Sequence, residues 1–358
     1  MINIIISINS ISSGMKLNQD VKSKLGGIIF KKGTVLQSID KEVLEAFGVK
    51  EIEIEETINT KEQKVEIEKE RLKSQSEKKG DFKELFNQAL KVVEKIFKLA
   101  QGNAQIPILD LRKVLQPLLD EKYAQFKYLS SLNYISEDYI KYDSHHALSV
   151  GIISSAIAKW RGLEQGERMQ IALAGVLHDI GMSRIPVDII HNKGPLTYNE
   201  YAEIKKHTLY GYQILKDTKG LKEGSVLAVL QHHERGDGSG YPLGLKNDQI
   251  HQYAKIVAVA DIFHAMISKR SHRAEYSPYQ AIEQIIVDSF GKLDPVIVRM
   301  FTNKMTEFAN GTKVVLNNGQ EGTIVFIDQK HPTRPLIKVG QSILNLINEN
   351  ELYIKKVL

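Results

Sequence analysis

Ile171-Ala172-Leu173-Ala174-Gly175-Val176-Leu177-His178-Asp179-Ile180-Gly181 is the stretch from which the rest of the chain can be read. Seven apolar or small residues predict a buried helix, and it ends in an adjacent imidazole and carboxylate. Buried His and Asp need partners, because an unpaired polar group away from water is costly. A metal ion is the simplest partner, since it stabilises an ionised Asp and a neutral His together. Most of the histidines fall between His145 and His272, in the middle of the chain.

Other pieces of such a site lie on either side. His146 precedes the stretch on another predicted helix. His207 follows in E-I-K-K-H-T. His232-His233 closes the apolar run Val226 to Leu230, and Asp261 closes Ile256 to Ala260. One apolar helix ending in His or Asp is ordinarily a satisfied core residue. Three such events each demand a separate buried partner, which a shared metal centre supplies at once. With no cysteine in the chain, disulfides and thiolate metal sites are excluded. The remaining His and carboxylate donors suit manganese, iron or zinc.

With 358 residues, the chain is long enough for two or three domains. Residues 1–56 read as a small α+β module: a strand over Ile4 to Ile8, turns around Ile28-Ile29-Phe30, a short helix Lys41 to Phe47 with Ser38 as its cap, and the period-two strand Glu51 to Glu55. Residues 57–80 are densely charged with mixed sign, a solvated helix or flexible linker. Residues 81–135 carry amphipathic helices, one interrupted by Pro117, that cap the central domain or form a dimer face. Residues 136–305 are helical by pattern, apart from the glycine-rich loop Glu234 to Pro242. Residues 306–358 read as short strands around the hairpin turn Asn317-Asn318-Gly319, a small β-barrel-like module. The fold class expected is mainly α, with the two small strand-bearing modules flanking a helical domain.

The net charge of +5 is spread along the chain, which argues against a nucleic-acid binder with a basic stripe and is compatible with a small anionic ligand. No apolar stretch has the length of a membrane span, and the run Ile2 to Ile8 lacks the features of a signal peptide. A cytoplasmic protein is expected.

The strings H-D-I-G-M-S-R-I-P, K-G-P-L-T, H-H-E-R-G-D-G-S-G-Y-P-L-G-L and A-D-I-F-H-A-M-I-S-K-R appear in that order. Over about residues 140–305 the chain resembles the HD-GYP subgroup of the HD-domain metal-dependent phosphohydrolases. The resemblance implies an all-helical domain that holds divalent iron or manganese and hydrolyses cyclic di-GMP. Carried over by position, the ligands are His146, His178, Asp179, His207, His232, His233 and Asp261. Asp179 would bridge two metals; His146, His178 and Asp261 would complete one site, and His207, His232 and His233 the other. His178 and Asp179 would stand at the catalytic centre. A hydroxide bridging the metals would attack the 3'-5' phosphodiester. Gly240, Tyr241 and Pro242 would shape the guanine-binding cleft, and Arg270 and Arg273 would lie near the substrate phosphates. His146 rather than His145 matches the family string, and His191, His251 and His331 read as surface residues.

The chain departs from the family at three positions. Met182 stands where the family has Lys. His264 stands where it has a second Asp, one helical turn from Asp261, and is expected to support a ligand from behind. Tyr142 stands where three-metal members carry Glu, so two metals are expected, with linear pGpG as the main product. Three functions stay open: an active cyclic di-GMP phosphodiesterase, a catalytically silent cyclic di-GMP receptor that signals through a protein partner, and a hydrolase of another cyclic dinucleotide. A homodimer is compatible with each.

Overall fold

The computed structural model describes the chain apart from residues 1–2, 9–10, 12–13, 23–27, 38–39, 47–48, 56–61, 103, 133–138, 191, 193, 269–275 and 308–310, and apart from the side chains of 3–4, 42, 45–46, 62–81 and 139–142. The described chain divides into two compact units, Met1–Glu77 with Phe308–Leu358, and Lys78–Glu307.

The first unit holds the strands. β1 (Asn3–Ser7) pairs antiparallel with β5 (Glu51–Glu55), which also pairs with the short β2 (Lys16–Leu17). β3 (Val21–Lys22) and β4 (Ile28–Phe30) form a separate pair, and α1 spans Asp40–Ala46. The alternation of Glu51 to Glu55 does what period two requires: Ile52 and Ile54 are buried while Glu51 is exposed. The C-terminal strands β6 (Lys313–Leu316), β7 (Glu321–Phe326), β8 (Leu336–Val339), β9 (Ser342–Asn345) and β10 (Ile354–Val357) make one antiparallel sheet in the order β10-β6-β7-β8-β9. Gly319, at φ +87, turns the chain between β6 and β7 as the Asn-Asn-Gly signal predicts. The barrel-like closure expected from the sequence is not found, because the outer strands β9 and β10 do not pair with each other among the described residues. Leu17, Leu36, Val43, Leu44, Ile52 and Ile54 share a core with Val325 of β7, so segments from both ends of the chain build this unit.

The second unit is helical. α2 runs Glu62–Gln101 without a break, so the charged segment is helix from Glu62 on, and the part of α2 from Lys78 belongs to this unit. α3 (Ile108–Leu115) gives way to a 3-10 turn at Gln116–Leu119, where Pro117 cannot supply the next helical N–H. The later helices are α4 (Phe126–Leu129), α5 (Tyr139–Trp160), α6 (Gln165–Leu177), α7 (Val187–Ile190), α8 (Tyr198–Lys205), α9 (His207–Leu215), α10 (Glu223–Gln231), α11 (Gln252–Ile267), α12 (Pro278–Asp288) and α13 (Pro295–Met305). α5, α6 and α11 form the centre, and the residues Ile171 to Leu177 of α6 are all buried. No helix among the described residues is long and apolar enough to cross a membrane.

Candidate metal centre

Glycines set the distances between the helices that carry the histidines. A methyl group on Gly175 of α6 would lie 2.8 Å from the Cα of Gly151 on α5. Two bare backbones therefore meet there, which brings His146 of α5 beside His178, the residue capping the end of α6. Gly181, in the turn after Asp179, packs directly against the carbonyl of His207, the first residue of α9, and any side chain would collide with it. Gly211 fits α9 against Val229 of α10 in the same way, and α10 ends at His232.

The imidazoles are oriented by their outer nitrogens. His178 Nδ1 donates to the Gly175 carbonyl at 2.8 Å, His207 Nδ1 to the Ile204 carbonyl at 2.7 Å, and His232 Nδ1 to the Val229 carbonyl at 2.9 Å. His146 Nδ1 lies 2.8 Å from His264 Nδ1, and His264 Nε2 lies 3.0 Å from the Leu132 carbonyl. That carbonyl only accepts, so His264 carries its proton on Nε2 and takes one from His146 Nδ1. With neutral rings, the Nε2 atoms of His146, His178, His207 and His232 then turn lone pairs inward.

What the lone pairs face is more of the same. His146 Nε2 is 3.1 Å from Asp261 Oδ1. His178 Nε2 is 3.1 Å from Asp179 Oδ2 and 3.9 Å from Asp261 Oδ1. His207 Nε2 is 3.2 Å from Asp179 Oδ1, and His232 Nε2 is 3.6 Å from it. The Nε2 atoms of His207 and His232 stand 3.3 Å apart. His178 Nε2 is buried and makes no hydrogen bond. Imidazole nitrogens and carboxylate oxygens converging on one another fit a cation, and the residues fall into two sets of potential ligands: His146, His178 and Asp179, and Asp179, His207, His232 and His233. Asp179 belongs to both. Asp261 lies outside the compact sets but borders the first through His146 and His178.

The charges respond to this crowding. Burial, aided by the charge of neighbouring imidazoles, pushes His233 well below the ordinary histidine range and His232 down to about 4. Burial also lowers His146, against the pull of Asp261. His178 goes the other way: burial opposes its protonation, but the adjacent Asp179 and the nearby Asp261 outweigh it and raise it to about 9. Both aspartates are held well below the usual carboxylate range, because the histidines beside them outweigh the cost of burying a charge.

The glycine-rich loop walls one side. Tyr241 stacks on His233 with ring centres 4.6 Å apart, and the Tyr241–Pro242 peptide is cis. Burial and the charge of Asp179 push the Tyr241 phenol far up, so it remains a donor at neutral pH. Gly240 lies against the backbone of Glu234 and Arg235, where a methyl group would be about 2.5 Å from the Glu234 Cα. Glu234 is the residue that the sequence reading passed over. It is buried, and its two carboxylate oxygens accept from Leu243 N at 2.7 Å and Leu245 N at 2.9 Å, which fixes the far end of the loop. The signal was an acidic residue opening a turn whose backbone N–H groups needed acceptors. His145 turns away from the cluster, bonding Ser149 and packing on Phe86. His331 is exposed beside Asp328, as expected of a surface residue, whereas His251 is half-buried and caps α11 by accepting from Tyr253 N. Arg270, Arg273, His191 and the Tyr142 side chain lie outside the described residues.

A family model for the HD domain matches residues 113–297. The chain belongs to the HD-domain family. HD domains bind divalent metals, and the His and Asp cluster supplies donors of the right kind. Among curated relatives, the cyclic di-GMP phosphodiesterase PA4108 of Pseudomonas aeruginosa is 31% identical over 199 residues, covering 56% of this chain and 48% of its own length. A cyclic di-GMP phosphodiesterase of Thermotoga maritima is 37% identical over 196 residues, 51% of this chain and 53% of that one. A 3'3'-cGAMP-specific phosphodiesterase of Vibrio cholerae is 34% identical over 164 residues, 46% of this chain and 31% of that one. The chain thus spans about half or less of the length of these relatives. The solved structure of Bd1817, described as a HDG"Y"P protein from Bdellovibrio bacteriovorus, matches with a TM-score of 0.51 at 17% identity, over 84% of this chain and 98% of that one. That likeness is one of fold.

Proposed function

We propose that the protein is a metal-dependent phosphodiesterase that opens cyclic di-GMP by hydrolysing a 3'-5' phosphodiester, with linear pGpG as the main product. The observation that carries the proposal is the pair of donor sets sharing Asp179. The named activities of the curated relatives supply the substrate class.

His146, His178 and Asp261 would hold one divalent ion, His207, His232 and His233 the other, and Asp179 both. Iron or manganese suits such a nitrogen and oxygen set. Bound ions supply Lewis-acid charge at the phosphate and an activated water for in-line attack. The protein's own residues do the rest. Imidazoles tied back at Nδ1 cannot swing, so the cluster holds its geometry without reorganising. Two carboxylates against two divalent ions leave the centre net positive, which favours an anionic phosphodiester. The protonated Tyr241 phenol beside His233 offers a hydrogen-bond donor at the wall where a base or phosphate oxygen would lie.

A second substrate, 3'3'-cGAMP, is favoured by the curated relative from Vibrio cholerae specific for it. Met182 in place of Lys bears on the receptor reading, because a neutral side chain cannot protonate the phosphate during cleavage.

The test is turnover under anaerobic conditions after loading with ferrous iron or manganese, with products of cyclic di-GMP and 3'3'-cGAMP resolved by chromatography. The linear dinucleotide should form and should disappear with Asp179→Asn. Tight binding without hydrolysis of either compound would replace the enzyme by a receptor.

A further inference from the structure

A cyclic dinucleotide carries two phosphodiesters on one ring, and the cluster can engage only the one being cut. The other phosphate needs a cation of its own if its charge is to be buried near the site. Position 182 cannot provide it, because Met182 is neutral. The described residues offer another group.

Lys205 lies two residues before His207 and is partly buried. Its Nζ stands 5.1 Å from the centre of the Tyr201 ring and 5.9 Å from the centre of the Tyr241 ring. Tyr241 in turn is stacked on His233 and has its ring centre 6.3 Å from that of His207. The ammonium is therefore held at the rim of the histidine cluster by two aromatic faces. Its neighbour Lys206 behaves as a surface lysine does: its Nζ pairs with Glu203 at 2.6 Å, and Glu203 also accepts from the Tyr210 hydroxyl at 2.8 Å. The nearest acid in sequence is thus already engaged. No ion pair joins Lys205 to a carboxylate among the described residues, and a ring face is a weaker partner for an ammonium than an anion is. A positive charge placed beside the cluster and left without a counter-anion has its strongest bonding capacity still unused.

We propose that Lys205 binds the second, uncleaved phosphate of the cyclic dinucleotide, with Tyr201 and Tyr241 fixing its ammonium in place. This makes Lys205 a specificity residue for ligands with two phosphates, and it rests on the phosphodiester-binding reading of the cluster. The alternative is that the lysine stem only covers Tyr201.

The experiment compares the full-length, metal-loaded wild type with Lys205→Met and Lys205→Arg. Methionine keeps a stem over the rings and removes the charge; arginine keeps the charge. Steady-state kinetics are read for the cyclic dinucleotide that the wild type cleaves and for bis(p-nitrophenyl) phosphate, which has one phosphodiester. Equilibrium binding of a phosphorothioate analogue of cyclic di-GMP is measured alongside. Lys205→Met should raise KM and the analogue's Kd by about tenfold, with kcat falling by less than about threefold, and the KM effect should be at least about fivefold larger for the cyclic dinucleotide than for the single diester. Lys205→Arg should restore most of the affinity, and the analogue's Kd should rise with salt in the wild type more steeply than in Lys205→Met. Equal shifts for both substrates, or an unchanged Kd in a folded Lys205→Met protein, would overturn the proposal. A wild type that neither binds nor cleaves a cyclic dinucleotide removes the phosphodiesterase reading and this proposal with it, and is told apart from the other failure because it shows before any variant is made.

Discussion

His264 is the side chain that sets the proton on His146. Its ring is fully buried, donates to Leu132 and accepts from His146, so the inner nitrogen of His146 is left as a lone pair toward Asp261. Removing that acceptor frees the tautomer. His264→Leu should weaken metal binding by about 10–100-fold, while His264→Asp, which can also accept from Nδ1, should retain most of it. Metal titration followed by elemental analysis decides this, and equal loss in both variants would reduce His264 to packing. A second expectation concerns the proton on His178. Raised to about 9 without metal, this imidazole is charged at pH 7, and a metal that takes its Nε2 must displace that proton. His146, His232 and His233 are lowered and give up none. Loading at pH 7 should therefore release about one proton from His178, and apparent affinity should climb by up to about tenfold per pH unit until pH passes about 9. Calorimetry in buffers of different ionisation enthalpy measures it; a heat independent of buffer would mean that His178 is neutral beforehand. The His and Asp residues were legible as types clustered at the ends of apolar runs. The bond from His264 was legible only as a shared helix face with Asp261, since its partners Leu132 and His146 lie 132 and 118 residues away.

Between helices, the decisive groups are the ones without side chains. Gly181 leaves room for the His207 carbonyl, and α9 reaches Asp179 only because of that room. Gly181→Ala should force α9 outward, costing about 1–3 kcal/mol of stability and lowering metal affinity with it. Gly166, in the first turn of α6 and with nothing within 4 Å of its would-be methyl group, is the control: Gly166→Ala should stabilise by about 0.4–1 kcal/mol. Thermal unfolding with and without metal separates the two, and a harmless Gly181→Ala would show that the turn relaxes freely. The sequence carried the glycine after His-Asp-Ile in plain view, yet its reason lies in a contact with a helix 26 residues on, which periodicity cannot report. Helix existence was readable from period and from Pro117. The strand β9 was not, because none of Ser342 to Asn345 is fully buried, whereas β6, β8 and β10, of the same length, each bury an apolar residue.

For the molecule as a whole, the terminal segments share a core although the whole of Lys78–Glu307 separates them in sequence. Local patterns gave each its strands but carry no information about which distant strand or helix will cover them, because that pairing is settled by complementary apolar surfaces in three dimensions. The division into two units makes a prediction about where the metals matter. All seven candidate ligands lie in the unit Lys78–Glu307, on α5, at the ends of α6 and α10, at the start of α9 and on α11. A ligand bound only by the folded form stabilises by about 2.7 kcal/mol at a hundred times its Kd. Stripping the ions with a chelator should accordingly speed amide exchange by up to about a hundredfold in α5, α6, α9, α10 and α11, where acceptors brought within 3.1–3.9 Å of one another would lose the cation between them. Amides of β6 to β8 have no ligand to lose and serve as the internal reference; their exchange should stay constant. Equal acceleration in both units would mean that the metals hold the entire chain together, and no acceleration in α5 and α6 would mean that the cluster stands without a cation, which the converging lone pairs of His146, His207 and His232 argue against.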